Sequence, residues 1–323
     1  IGGEDVNSSP TQASDQCVIS FDQMSIEQAA NWPDLLAIVA EKVKPQRDQD
    51  KRGARRDYWW RFAETVPALY EAITPLKRCI VNSQVSKHLA FSFVHTSQIF
   101  GNTLYVYPLQ SYTALSALQC RIHDAWARLL SSSFGSSSTL GRVLRYTASD
   151  CFETFPFPQP DPRTVIPALE TIGETLYTQR AKYMVDENVG LTISYNRLKD
   201  PSVTEARIVA LRALHEELDR AVLTAYGWTD LIPTVPPFCI ATDVDKKALE
   251  TLVRAVIDRL FALNATRAEE ERIKGLGAPT KGKPAAPKAP ASEKKPRAKK
   301  NAPTGDQLEI SSQDLIERYV RDL

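Results

Sequence analysis

The sequence has 323 residues, 43% of them hydrophobic, and its formal net charge is +1. This length suffices for one large or two ordinary domains with a hydrophobic core, and the balanced charge excludes a polycation, so any nucleic-acid surface must come from local basic clusters. The five cysteines are odd in number and widely spaced, which argues against a zinc motif and is typical of reduced core residues. No apolar run is long enough to cross a bilayer. We therefore expect a cytoplasmic protein with no membrane partner.

A basic run at residues 44–60, KPQRDQDKRGARRDYWW, is the first segment with a functional pattern. It follows a predicted short strand at residues 17–21 and a predicted helix at residues 32–44. Basic side chains beside aromatic rings can hold a phosphate backbone and stack on bases. The same pattern also fits a solvated loop that carries two tryptophans into the core. The predicted backbone contacts in this run are Arg47, Lys51, Arg52, Arg55 and Arg56.

A change of hydrophobic period after a predicted helix at residues 65–74 indicates a small sheet. Residues 79–81, 89–94 and 103–107 are rich in β-branched and aromatic residues with polar breaks between them, which is typical of antiparallel strands. Lys87 and His88 lie in a polar connection and are predicted to contact phosphate, although such residues are also ordinary in turns.

Residues 111–130 are predicted to form one helix that organises the rest of the chain. Ser111 is a suitable N-cap, and apolar residues recur at helical spacing with Trp126 in the middle of the stripe. The serine- and glycine-rich residues 131–145 cannot build a core and predict a mobile loop. Phenylalanines and prolines at residues 152–158 are expected to close this loop against the core.

The predicted base-reading residues are Arg142 and Arg145, which end the loop, together with Ser136 and Ser138 inside it. An arginine can donate two parallel hydrogen bonds to O6 and N7 of guanine, and a serine-rich arm can become ordered in a DNA groove. The alternative interpretation is an ordinary surface loop over a hydrophobic core.

Beyond Pro162 the pattern becomes helical. Apolar stripes at residues 166–183, 208–226 and 249–263 predict three helices, with residues 190–201 as a linker. Gly227 is a predicted C-cap and Asp243 a predicted N-cap.

The expected fold class is α+β, with a small, mostly antiparallel sheet domain and helices at residues 1–160, then a helical bundle at residues 161–272. Residues 273–306 are rich in lysine, alanine and proline and predict a disordered basic linker. Residues 307–323 predict a short terminal helix.

Several segments resemble one enzyme family, in the order in which they occur. LQCRIHDAWARLL at residues 118–130 and LRYTASDCFETFPFP at residues 144–158 are similar to the target-recognition region of large adenine-specific DNA methyltransferases. That family includes fused restriction–methylation enzymes and phage-defence methyltransferases. The resemblance covers roughly the first five-sixths of the chain. Its further segments are IGGED, WWRFAETVPALYEAITPLKR, SKHLAF, LTISYNRLKDP, LRALHEELDRAVLTAYGW and RLFALNATRAEEE.

The resemblance implies a module without its catalytic domain. The family transfers a methyl group from S-adenosylmethionine to adenine, which requires a glycine-rich cofactor turn and an Asn-Pro-Pro-aromatic motif for the flipped base. Neither motif is in the sequence, where the Pro-Pro-Phe run at residues 236–238 follows Val235. We therefore expect no catalytic, cofactor-binding or metal-binding residues. S-adenosylmethionine is expected in a catalytic domain present in cis or in trans. Because Ile1 opens the chain inside a family motif, we expect a fragment or a split subunit.

The function that the sequence favours is DNA sequence recognition for a site-specific adenine methyltransferase of a restriction–modification or phage-defence system. Its partner would be double-stranded DNA, and the chain alone would be inactive. Two alternatives stay open, namely a protein-interaction module of a defence complex that does not read bases, and an inactive gene fragment. Salt-dependent binding to duplex DNA separates base recognition from protein interaction.

Overall fold

The structure is a computed structural model that describes residues 1–134 and 143–275. Before the first strand the chain forms short helices, some begun by proline or a capping side chain. Pro33 lies in the first turn of its helix. Ser25 and Gln28 form a capping box, in which each side chain accepts a hydrogen bond from the other residue's backbone nitrogen. These helices are α1 (Gly3–Ser8), α2 (Ile26–Ala29), α3 (Pro33–Lys42), α4 (Lys44–Asp48), α5 (Gly53–Asp57) and α6 (Pro67–Ile73).

Helices α2 to α5 belong to an N-terminal lobe, residues 17–66, that has a small hydrophobic core of its own. Trp60 Nε1 and Arg61 Nε both donate to the Met24 carbonyl oxygen at 2.9 Å, which joins the end of the basic run to the start of the lobe. The buried residues of this core are Phe21, Ala29, Val39 and Trp60.

The predicted strand at residues 17–21 is wrong. These residues form no strand in the described part of the chain, and Phe21 enters the lobe core instead. A β-strand needs a neighbour to pair its backbone N–H and C=O groups, and a five-residue apolar pattern does not reveal whether one exists. Cys17 is exposed, contrary to the expectation that all cysteines are core residues, whereas the other four are buried free thiols.

Two three-stranded antiparallel sheets follow, and they confirm the α+β fold class. In the first, the central strand pairs with both neighbours, so that Ile80 lies opposite Phe93 on one side and Tyr107 on the other. The strands are β1 (Arg78–Ser83), β2 (Val85–Ser86), β3 (Ser92–His95), β4 (Leu104–Tyr107), β5 (Ser132–Phe134) and β6 (Val143–Arg145). Their orders are β3-β1-β4 in the first sheet and β2-β6-β5 in the second.

The helix predicted at residues 111–130 is two helices, α7 (Tyr112–Gln119) and α8 (Arg121–Leu130). Ser111 is the N-cap, as predicted, and accepts a hydrogen bond from the Ala114 nitrogen at 3.1 Å. The break lies at Cys120, whose backbone is extended. A tertiary contact stabilises the break, because the Asp219 carboxylate accepts a hydrogen bond from the Arg121 nitrogen at 2.8 Å, at the start of the second helix.

The last part of the described chain is helical, as predicted, but the expected linker at residues 190–201 is largely a helix. Leu191, Tyr195 and Leu198 are buried along one face of it, and this spacing explains why the segment folds as a helix rather than as a linker. Thr242, not Asp243, is the N-cap of the last helix and forms a capping box with Asp245. The helices are α9 (Pro167–Asp186), α10 (Leu191–Lys199), α11 (Ala206–Ala225) and α12 (Asp243–Ile273).

One large hydrophobic cluster, called the main core here, joins the sheets to the helices and includes residues from Val6 to Leu260. Trp126 of α8 is fully buried in it, as the stripe predicted. Helices α7 and α9 approach closely at Gly173, where a Cβ atom would lie 2.2 Å from the Ser116 hydroxyl oxygen. A side chain at that position would force the two helices apart.

Candidate nucleic-acid interface

The second sheet places Arg145 on an exposed surface, called the sheet edge here. Arg145 lies on β6 opposite Val85 of β2 and Ser132 of β5. Its neighbours Leu144 and Tyr146 are buried, while Arg145 and Val85 are exposed. This alternation is what a strand with one face on the core requires. Arg145 is therefore carried by a strand that is paired on both sides and anchored in the main core.

Next to this strand pair, Lys87 and His88 meet Asn196 of α10. The Lys87 ammonium donates to Asn196 Oδ1 at 2.8 Å, and His88 Nε2 lies 2.9 Å from the same oxygen. Because Asn196 Oδ1 can only accept, His88 Nε2 carries the proton. Lys87 is exposed and directly follows β2, the strand in which Val85 pairs with Arg145.

His88 differs from Lys87 in burial and in charge. Its side chain is only 9% exposed, and its Nδ1 has no hydrogen-bond partner among the described residues. Burial lowers the pKa of His88 to about 4, and the positive charge of Lys199 acts in the same direction. The imidazole is therefore neutral at pH 7. The geometry places Lys87, rather than His88, where a phosphate could reach a positive charge.

The residues of the basic run that are predicted to contact the DNA backbone lie on the N-terminal lobe. Acidic side chains nearby form ion pairs with several of these arginines. Arg55 lies 3.6 Å from an Asp50 oxygen and 3.2 Å from a Glu64 oxygen. Arg52 lies 3.7 Å from the same Glu64 carboxylate, and Arg56 donates to the Asp50 carbonyl oxygen at 2.7 Å. These exposed pairs contribute little stability because solvent screens them. They reduce the charge that the arginines present to a ligand.

A groove of about 140 Å³, called the lobe groove here, lies beside this run. Tyr58 is 50% exposed and Phe62 is 41% exposed, and both line it. The Arg61 guanidinium lies 4.7 Å from the centre of the Tyr58 ring, and Arg47 and Arg55 complete the charged lining. The sequence interpretation missed Arg61 and Phe62, although an aromatic and basic signal continues through both residues.

The tryptophans of the run have a structural role, since Trp60 is 9% exposed and packs in the lobe core. The solvated-loop alternative therefore describes Trp60 correctly. The exposed aromatic residues of the lobe groove on which a base could stack are Tyr58 and Phe62.

Three of the predicted base-reading residues, Ser136, Ser138 and Arg142, lie outside the described residues. Within residues 1–134 and 143–275 there is no cluster of three or more histidine, cysteine or acidic side chains able to hold a metal ion. No helix in the same ranges is long and apolar enough to span a membrane.

In fold, the chain is similar to part of a restriction–modification enzyme. That enzyme is the Type IIL enzyme MmeI, whose structure was determined in complex with DNA, and the two chains are 20% identical with a TM-score of 0.53. The similarity covers 82% of this chain and 30% of the length of MmeI. No protein-family model matches the sequence, and no curated protein matches it. At this level of identity the likeness concerns the fold.

Proposed function

We propose that this chain is the DNA-recognition part of a restriction–modification or phage-defence system, with double-stranded DNA as its partner. The fold likeness to part of an enzyme that was solved with DNA supports this role. The observation that carries the proposal is the sheet edge, where Arg145 is exposed on a doubly paired strand and the exposed Lys87 directly follows β2, one of the two strands paired with it. A rigid arginine suits base reading because two hydrogen bonds to guanine require a defined direction of approach.

In this proposal the two predicted domains divide the work. Residues 1–160 supply the sheet edge and the lobe groove, and residues 161–272 brace them and face the catalytic domain. Arg145, Arg142, Ser136 and Ser138 would read bases. Lys87 and the basic run at residues 44–60 would contact phosphates, where charge alone matters. Methyl transfer to adenine would take place in a catalytic domain in cis or in trans, which would also bind S-adenosylmethionine.

Selection of preferred sites from a randomised duplex library by the full chain tests this function. We expect a preferred sequence to be enriched, with affinity that falls steeply with salt because phosphate contacts release counterions. Calorimetry with S-adenosylmethionine serves as the cofactor control and should show no binding to this chain alone. Equal recovery of all duplexes at every salt concentration would contradict base recognition.

A protein-interaction module is the second candidate, and an exposed apolar face favours it. Leu35 and Ile38 are exposed three residues apart on one side of α3, and Trp32 is exposed at the N-cap of the same helix. Leu35→Glu and Ile38→Glu should leave DNA binding unchanged if the sheet edge carries function. If these changes abolish function in cells while DNA selection shows no preference, the interaction role replaces base recognition.

A further inference from the structure

A cavity of about 60 Å³ lies among helices α7, α8, α10 and α12, next to His88, whose ring centre is 6.0 Å from that of the lining Tyr195. Such junctions between elements are common positions for ligands, and the volume is several times the roughly 10–15 Å³ needed for one water molecule. One side of the cavity is apolar and the other carries charged and polar groups. Its lining residues are Leu89, Gln119, Arg121, Asp124, Tyr195, Lys199, Phe238, Ile240 and Leu249.

Two of the charged lining residues are neutralised by partners. Arg121 Nε lies 2.5 Å from an Asp219 oxygen, and the other end of its guanidinium donates to the Pro236 and Pro237 carbonyl oxygens. Asp124 lies 2.9 Å from Arg128 Nε. These pairs add no net charge to the cavity wall.

Two further cations form no close ion pair with a carboxylate among the described residues, and the Asp124 charge, which acts on Lys199, is shared with Arg128. Lys199 is half-buried at the cavity, and its ammonium makes no hydrogen bond or ion pair there. Arg180 is buried behind the wall and donates only to neutral oxygens, among them those of Gln119 and Tyr195, which line the cavity. Buried charges are ordinarily paired, since each unpaired charge carries a large desolvation penalty. The cavity wall therefore has an excess of positive charge.

We propose that this cavity binds a small oxyanion of the phosphate class, with Lys199 as its direct ligand and Arg180 as a buried charge behind it. The anion would supply the negative charge that the wall lacks. Tyr195 and Gln119 are already oriented by Arg180 and would complete the polar side. The apolar side, from Phe238 to Leu249, would exclude water and strengthen the attraction.

The titration of Lys199 provides a signature of this site. Burial lowers the pKa of Lys199 to about 8, and the charge of Arg128 acts in the same direction, while Asp124 opposes both. Anion affinity should therefore fall as the pH rises above about 8, because the ammonium loses its proton. The charged and titratable groups that face Lys199 are Lys87, His88, Arg121, Asp124, Arg128 and His215.

Sulfate is the probe, because its charge does not change over the pH range of interest. Calorimetry of the full chain with sulfate should show saturable binding at one site. Lys199→Gln should weaken it at least about tenfold, since a hydrogen bond to a charged group contributes on this scale. Lys199→Arg should retain binding and remove the loss above pH 8. Lys182→Gln, an exposed lysine of α9 paired with Asp186, is the matched control and should bind like the wild type.

Unchanged sulfate affinity in Lys199→Gln, or no saturable binding by the wild type, would overturn the proposal. The Arg variant and the pH profile distinguish loss of a ligand from loss of the fold. Competition between sulfate and duplex DNA would assign the site to a DNA phosphate. Independent binding of the two would assign it to a free anion such as a nucleotide phosphate. Either result supports the presence of an anion site. DNA selection by Lys199→Gln tests base recognition separately.

Discussion

The sheet edge and the lobe groove both present arginine, but the fold holds them in different ways. Arg145 lies on a strand that is paired on both sides and anchored by Leu144 and Tyr146 in the main core. The arginines of the lobe lie on or beside short helices over a core of four buried residues, and acidic neighbours share several of their charges. Elements with few buried apolar contacts open most readily. The sheet edge is therefore suited to directional contacts, and the lobe to contacts in which only charge matters.

The largest expected difference between the regions is their response to acid. Burial lowers the pKa of His123 to about 4 from 6.5, and it lowers the pKa of His88 and His215 as well. As the pH falls, the unfolded chain binds protons on these histidines before the folded chain does, so the main core should lose stability between about pH 6.5 and pH 4. At roughly 1.4 kcal/mol per pKa unit, His123 alone accounts for a loss of about 3 kcal/mol. The lobe sequence contains no histidine.

Hydrogen exchange at pH 7 and at pH 4.5 measures this difference region by region. Protection of β1 and α8 should fall more than protection of α3. His95→Gln is the control, since His95 is exposed and its loss should not change the profile. Equal loss of protection in the two regions would assign the acid effect to another group.

Removal of one tryptophan from each core separates the two regions by stability. Trp126 is 1% exposed in the main core, and Trp126→Ala should destabilise the whole chain by about 3–5 kcal/mol, the usual range for large core truncations. Trp60→Ala should melt the lobe and leave the main transition in place. Circular dichroism melting curves of both variants check this, and a single shared transition shifted equally by both changes would show one cooperative unit.

Loss of the arginine on the sheet edge should change base preference rather than overall affinity. Arg145→Ala should relax selection at one base position by about 1–3 kcal/mol, the discrimination that one bidentate contact provides. Its strand should persist, because alanine keeps the backbone hydrogen bonds of β6. Arg254→Ala, an exposed position on α12, is the control for a lost surface charge. A uniform loss of affinity for all sequences would place Arg145 among the phosphate contacts.

The smallest effects are expected in the lobe, where each change should act on overall affinity and its salt dependence and leave base preference unchanged. Lys51→Ala should weaken binding to every duplex and reduce the salt slope by about one. Arg55→Ala should reduce it less, because Asp50 and Glu64 already share the Arg55 charge. Salt titrations on a preferred and a scrambled duplex provide the measurement. A change of base preference in Lys51→Ala would show that the lobe takes part in base recognition.

Local pattern was sufficient to predict much of the fold. The strands near residues 79–81 and 103–107, the N-cap at Ser111 and the buried Trp126 all follow from period, side-chain shape or capping chemistry. These features depend on residues a few positions apart, and helix and strand periods record such interactions directly. The α10 helix could also have been predicted from the sequence, because Leu191, Tyr195 and Leu198 form an apolar stripe at helical spacing.

Tertiary contacts decided the rest. The break at Cys120 is stabilised by Asp219, a residue 98 positions from Arg121, and no local pattern records that contact. The burial of His88 also depends on a distant element. The sequence around His88 is typical of an exposed turn, but α10 covers the side chain, which contacts Asn196. Whether a charge is neutralised also depends on distant partners, as Arg121 and Lys199 illustrate. A sequence by itself determines which groups carry charge and apolar surface, whereas their burial and pairing arise only when distant elements pack together.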